Sequence, residues 1–260
     1  VDAFAAKVDG RSIRVSLPEA DSVEAMLEAA APGLSVKADT NMQHTSGRGK
    51  LALQISSAPQ LIDWLRNLPV VGSQLPAMRA SGQAQLNADW QGGWQQWLAE
   101  LQKPTANSKV GFNADLHSEG LKLTMAAASG TGAGAGAAQT QSAAAATEID
   151  VRKLALQLSG NPTAAELRLN ADVLANGTKA VLNTQAQLSQ VAQRNATDPV
   201  WRMVLEQLEL AATLPEHTQA WSLKLTEPLQ ATLQTGNRLQ LHASAGQLSL
   251  TPPKSISADG

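Results

Sequence analysis

The chain contains no cysteine and no tyrosine, and phenylalanine occurs only at Phe4 and Phe112. Without cysteine it has no disulfide and no thiol chemistry, a composition compatible with an oxidising compartment. With so few other aromatics, the six tryptophans are the main large anchors. No run of about 18 apolar residues occurs, so no stretch reads as a membrane-spanning helix. Val1-Asp2-Ala3-Phe4 has neither a basic leader nor an initiator Met, and the 260 residues read as a segment of a longer protein. A net charge of −2 gives no electrostatic reason to expect nucleic acid.

The signatures of catalysis are missing too. His44, His117, His217 and His242 lie far apart, and none has metal-ligand spacing to another histidine, so no metal site is expected. Asp2, Asp9, Glu19, Asp21, Glu24 and Glu28 cluster loosely, with Glu24 and Glu28 one turn apart on the solvent face of an expected helix. Nothing marks two acids held across a cleft. No serine sits in a Gly-x-Ser-x-Gly elbow, and the glycines of Gly130–Gly136 lack the residues of a phosphate cradle. Asn195-Ala196-Thr197 is a formal sequon, a match common by chance. No nucleophile, acid pair or cofactor motif emerges, so an enzyme is not expected.

What the chain does contain is alternation. Leu154-Ala155-Leu156-Gln157-Leu158, Trp221-Ser222-Leu223-Lys224-Leu225, Leu239-Gln240-Leu241-His242 and Leu248-Ser249-Leu250 each place apolar residues at every second position. Successive side chains of a strand point to opposite faces, so this pattern gives a sheet with one apolar and one wet face. His242 falls on the wet side.

The spacing predicts strands at Ala3–Val8 and Ser12–Leu17 around Asp9-Gly10, then a helix from Val23 to Ala31, capped by Asp21-Ser22 and stopped by Pro32-Gly33. Strands follow at Leu34–Thr40 and Arg48–Ser56. Gly49-x-x-x-Leu53 leads into a helix carrying Leu61, Trp64, Leu65 and Leu68. Gly82-x-x-x-Leu86, 33 residues on, leads into one carrying Trp94, Trp97, Leu98 and Leu101. This strand-plus-helix repeat points to an elongated array rather than a closed globule. The helical spacing of Trp94 and Trp97 favours packing on the sheet over ligand stacking.

Further strands are expected at Lys109–Leu116 and Leu121–Met125. Ala126 to Thr147, almost all Ala, Gly, Ser, Thr and Gln, reads as a flexible linker. Beyond it come strands at Glu148–Leu158, Ala165–Leu174, Thr178–Leu188, Val200–Thr213, Ala220–Thr226, Leu229–Thr235, Arg238–Ser244 and Gly246–Thr251. The turn signals between them are Gly160-Asn161-Pro162, Asn176-Gly177, Pro215, Glu227-Pro228, Gly236-Asn237 and Gly246. The organisation is therefore residues 1–125 of strands and short helices, a linker over 126–147, and an almost all-strand segment over 148–260. The fold class is mainly β.

Trp64-Leu65-Arg66-Asn67-Leu68-Pro69-Val70, the run from Ser81 to Trp94, Trp201 to Leu210, and Gly246-Gln247-Leu248-Ser249-Leu250 resemble the periplasmic repeats of the TamB family. That family belongs to the AsmA-like group of bridge-type lipid transporters. The resemblance implies an elongated, curved antiparallel sheet folded into a U-shaped trough. It implies a periplasmic location with an inner-membrane anchor elsewhere in the full-length protein. It also implies partners: phospholipid, the outer-membrane barrel TamA and client outer-membrane proteins.

Read with the alternation, it suggests a conduit in which Leu51, Leu53, Ile55, Leu86, Leu121, Leu123, Leu154, Leu156, Leu158, Leu167, Leu169, Leu208, Leu210, Leu223, Leu225, Leu239, Leu241, Leu248 and Leu250 line an apolar groove for acyl chains. The alternatives are a scaffold that assembles outer-membrane proteins by β-augmentation, and a segment of a β-solenoid adhesin.

Overall fold

The computed structural model describes residues 22–68, 78–102, 108–125, 147–191, 200–234 and 240–252. The expected strands Ala3–Val8 and Ser12–Leu17, the sequon and all of the linker but Thr147 lie outside these residues.

Among the described residues, eleven strands form one open antiparallel sheet in which each strand pairs with its sequence neighbours. They are β1 (Ser22–Ala31), β2 (Leu34–Gln43), β3 (Gly47–Ile55), β4 (Met78–Gln91), β5 (Gly111–Met125), β6 (Thr147–Asn161), β7 (Ala164–Ala175), β8 (Thr178–Val191), β9 (Val200–Thr213), β10 (Trp221–Gln234) and β11 (Gln240–Thr251). Two helices, α1 (Ala58–Arg66) and α2 (Trp94–Gln102), interrupt the first half. The mainly β, single-sheet architecture expected from alternation is the one observed. β5 and β6 pair from Phe112↔Gly160 to Met125↔Thr147, so the sheet continues across the Ala/Gly-rich segment.

One expected helix is a strand. Val23–Ala31 is rich in good helix formers, yet the whole of β1 pairs with β2, from Ser22↔Gln43 to Ala31↔Leu34. Pairing of this extent outweighs local propensity. Pro32-Gly33 is therefore a two-residue hairpin loop, with Gly33 at φ 77 supplying the positive φ such a turn needs. Glu24 and Glu28 still share a face, but by the period of a strand. Glu24 accepts a hydrogen bond from Asn41 Nδ2 at 2.8 Å, and Glu28 pairs with Lys37 at 2.9 Å.

Each member of the sequence repeat is indeed a strand followed by a helix. Because β3 and β4 are antiparallel neighbours, the two helices emerge at opposite ends of the sheet, not as stacked copies. α1 docks on the first hairpin turn, where Ser56 N donates to Gly33 O at 2.9 Å, and Arg66 donates to the Met78 carbonyl at the start of β4. α2 docks on the β2–β3 turn: Gln95 N donates to His44 O at 3.2 Å, and the Trp94 ring lies tilted against His44 with centroids 4.8 Å apart.

Three expected strand breaks lie inside long strands, two at turn signals and one in the gap between the strands expected at Lys109–Leu116 and Leu121–Met125. Gly120 is within β5, Pro228 within β10 and Gly246 within β11. Each coincides with a shift of register. Near Gly120, β5 has one more residue than β4, and β6 has one more than β7, while β5 and β6 keep a single register with each other. The extra residues are Gly120 and Arg152. A one-residue slip moves every later side chain to the opposite face. The sequence changes phase in step: Leu116 and Ser118 give way to Leu121 and Leu123, and Leu154 gives way to Val151 and Ile149. β9 does the same between Leu208 and Leu205, with Glu206 and Gln207 both exposed.

The glycines of this bulge are held for different reasons. At Gly82 (φ 104) a Cβ would overlap the Gly120 carbonyl, whereas at Gly120 (φ 63) the surrounding space is open. Gly120→Ala should therefore cost only the conformational penalty of about 1–2 kcal/mol, and Gly120→Asn less. Gly82→Ala adds a backbone clash and should cost more. Urea denaturation of the three variants checks the order.

Candidate functional site

The strand register assembles the apolar residues into rows that cross the sheet. One row runs through all eleven strands: Ala31, Leu34, Ile55, Ala84, Ser118, Leu154, Ala171, Leu182, Leu210, Leu223 and Leu250. Beside it runs Val36, Leu53, Leu86, Leu116, Leu156, Leu169, Thr184 and Leu208. The next comprises Leu27, Ala38, Leu51, Ala88, Ala114, Leu158, Leu167, Ala186, Leu205 and Leu229.

The sequence-derived candidates fall into this pattern. Ile55, Leu154, Leu210, Leu223 and Leu250 lie in the first row. Leu53, Leu86, Leu156, Leu169 and Leu208 lie in the second, and Leu51, Leu158 and Leu167 in the third. Beyond the bulge, Leu121 pairs with Val151, and Leu123 with Ile149 and Ala80. Leu225 pairs with Leu248, and Leu241 occupies the register position opposite Leu233. Leu239 lies outside the described residues. Sequence reasoning missed Leu27, Leu34, Val36, Leu116, Leu182, Leu205 and Leu229. Leu116, for example, is flanked by Leu86 and Leu156, a relation that exists only across strands.

No second layer covers these rows among the described residues, whose only other elements are the two short helices. No large side chain there is fully buried. Most row members are half-buried by their neighbours on the same face, and at the β11 edge Leu248 and Leu250 are 52% and 61% exposed. Such an apolar surface is held in water only because the backbone ladder and the polar opposite face keep it folded.

That opposite face is pinned by cross-strand polar pairs. Lys224 meets Glu209 at 2.7 Å, Gln187 donates to Glu206 at 2.8 Å and Gln185 donates to Glu166 at 3.0 Å. These are exposed or half-buried contacts, each worth about 1 kcal/mol or less, and they serve register more than stability. His117 takes its place on this face between Gln85 and Ala155. No group of three metal-ligating side chains occurs among the described residues.

Trp90, Trp94 and Trp97 do not form one stack. Trp90 lies against Gly49, its register partner, where a Cβ would overlap the indole. Such cover of a strand glycine by a facing aromatic is a known sheet-stabilising device. Trp97 packs on Phe112 with ring centroids 6.4 Å apart, and Trp94 sits on His44. The packing expectation for Trp94 and Trp97 describes these contacts.

Ser118 is the one polar residue in the eleven-strand row, and it is 3% exposed. Its hydroxyl donates to the Gln83 carbonyl at 3.0 Å, one residue from the Gly82 distortion. Ser118→Ala keeps the shape of the row but leaves that carbonyl short of a donor. It should cost about 1 kcal/mol in chemical denaturation with an unchanged slope.

No family model matches the chain, and no curated protein or solved structure matches it.

Proposed function

We propose that this chain is a non-enzymatic bridge segment that shields phospholipid acyl chains along its apolar face as they pass between two membranes through the periplasm. The observation that carries this reading is the apolar row that crosses all eleven strands and, from β6 to β11, has no helix over it among the described residues. Ten inter-strand steps of about 4.8 Å make such a row about 48 Å long. One leaflet of a bilayer contributes about 15 Å of hydrocarbon, so several tail positions fit in succession. Each methylene kept from water is worth about 0.8 kcal/mol, which offsets the cost of extracting a tail from its bilayer. The chemistry needs no nucleophile.

The resemblance to TamB repeats points the same way and supplies the proposed partners, TamA and client outer-membrane proteins. A scaffold reading has its own support at β11. This strand carries no charged residue and, among the described residues, pairs on one side only, the condition under which an edge recruits another strand. The solenoid reading has less: solenoid coils stack in parallel, and every pairing here is antiparallel.

A photocrosslinking residue at Leu156, in the middle of the second row, should capture phospholipid in a membrane-containing lysate. Leu158→Arg should abolish that capture while leaving the β-sheet circular dichroism unchanged, because the side chain is only half-buried. Absence of captured lipid at both Leu156 and Leu169 would refute the conduit. If a proline in β11 reduced client assembly more than Leu158→Arg did, the scaffold reading would gain.

A further inference from the structure

One patch of the wet face has a chemistry unlike the rest. In the β4–β5 pairing, Arg79 lies opposite Thr124 and Ser81 opposite Lys122. These positions are two apart along each strand, so all four share one face, with the two cations on one diagonal and the two hydroxyls on the other. Diagonal neighbours in a sheet are about 7–8 Å apart, close enough for one tetrahedral oxyanion to bridge them.

All four side chains line a single cleft of about 460 Å³ between the sheet end and α1. Pro59 and Ile62 of α1 give it an apolar wall, and Arg66 also borders it. Ala80, which belongs to the opposite, apolar face through its pairing with Leu123, lies in the same lining. The cleft therefore stands where the polar and apolar surfaces meet, two residues from the end of β4.

The charges around it are only partly spent. Arg66 is committed to the Met78 carbonyl and to Asp63, 3.7 Å away. Lys122 meets Asp150 at 3.5 Å, and Glu148 lies opposite Thr124 on the same face. The Arg79 guanidinium and the Ser81 and Thr124 hydroxyls have no hydrogen-bond or ion-pair partner among the described residues. Arg79, Lys122 and the two hydroxyls thus give the cleft four side chains able to donate, against the single carboxylate of Asp63 in its lining. Phosphate is the common ligand that offers acceptors alone, and arginine recognises it by bidentate bonds.

We propose that Arg79, Ser81, Lys122 and Thr124 form a phosphate-ester binding site. The oxyanion chemistry stands on this geometry alone. A phospholipid headgroup as its source rests on the conduit reading above, with free phosphate as the other source.

Calorimetric titration of the intact chain with inorganic phosphate at low ionic strength tests the site. Saturable binding tighter than about 10 mM is expected, weakened at least about tenfold by Arg79→Gln, the loss of one charge-assisted bidentate contact. Ser81→Ala with Thr124→Val should weaken it about threefold or more through two neutral hydrogen bonds. Asp63→Asn should leave it equal or tighter. Absence of saturable binding, or an unchanged constant in Arg79→Gln, overturns the site.

Flotation with phosphatidylglycerol vesicles identifies the source. Association that Arg79→Gln weakens and free phosphate competes away marks a headgroup, whereas titration by inorganic phosphate alone marks the free ion. The two readings fail separately. Lipid captured at Leu156 without phosphate binding overturns this site and leaves the conduit. Phosphate bound without captured lipid leaves this site and refutes the conduit.

Discussion

Phase is the constraint on which this structure depends. In a single sheet with one apolar side, every residue added or removed along a strand turns the rest of that strand inside out. Eleven strands of 9 to 15 residues give many opportunities for such an error. The chain holds phase by making each slip shared or compensated. β5 and β6 take their extra residues together, at Gly120 and Arg152, and so remain in register with each other. Their leucines change parity at the same level, from Leu116 to Leu121 and from Leu154 to Val151. Backbone irregularity and hydrophobic pattern thus agree, which is what distinguishes a built bulge from a defect.

A sheet without a second layer loses the usual source of stability, the fully buried core. What replaces it is local. Every strand pairs with its sequence neighbours, so most contacts close short loops and cost little chain entropy. The turns are chemically explicit. Asn176 at φ 49 and Gly177 at φ 82 form a two-residue reversal of the type that matches strand twist. Asn161 accepts from Thr163 N and Ala164 N, both at 2.9 Å, and so fixes the turn around Pro162. With each hairpin specified locally, the sheet extends without needing a globular interior. The apolar face is then free to remain a surface.

The same logic explains what could be read from sequence. Periodicity of two is a local property, so β6 to β9 were legible almost to their ends, as was the Asn176-Gly177 turn. Partners are not local. Ser22–Ala31 has helix-forming composition, and only the presence of β2 across the Pro32-Gly33 loop makes it a strand. Gly120, Pro228 and Gly246 are residues that break strands in most settings. Here they mark places where one strand gains a residue on its neighbour, a comparison a single strand cannot contain. The patch of Arg79, Ser81, Lys122 and Thr124 was invisible for the same reason. Its residues are unremarkable in sequence and become a cluster only through the β4–β5 register. The apolar candidates were easier, because alternation already assigns them to one side, although their alignment into rows needed the pairing.

The two helices show how such a face behaves when something covers it. At nine residues each, α1 and α2 are too short to be stable in water alone, so they exist because they dock. Each docks by its apolar residues and by backbone contacts at a turn, at opposite ends of the strands around β3 and β4. The first half of the sheet is therefore bounded at both ends by its own chain. Among the described residues, β6 to β11 carry no helix, and their rows run from Leu154 to the exposed Leu250 at the last edge without interruption. If apolar cargo and helix compete for the same kind of surface, the half that spends no chain on covering itself is the half that has surface to offer. The cationic patch on β4 and β5 then stands next to α1, where the covered half ends and the sheet's two faces come together. Its cations and hydroxyls stand on the wet side of the sheet, and Ala80 brings the apolar side into the same lining.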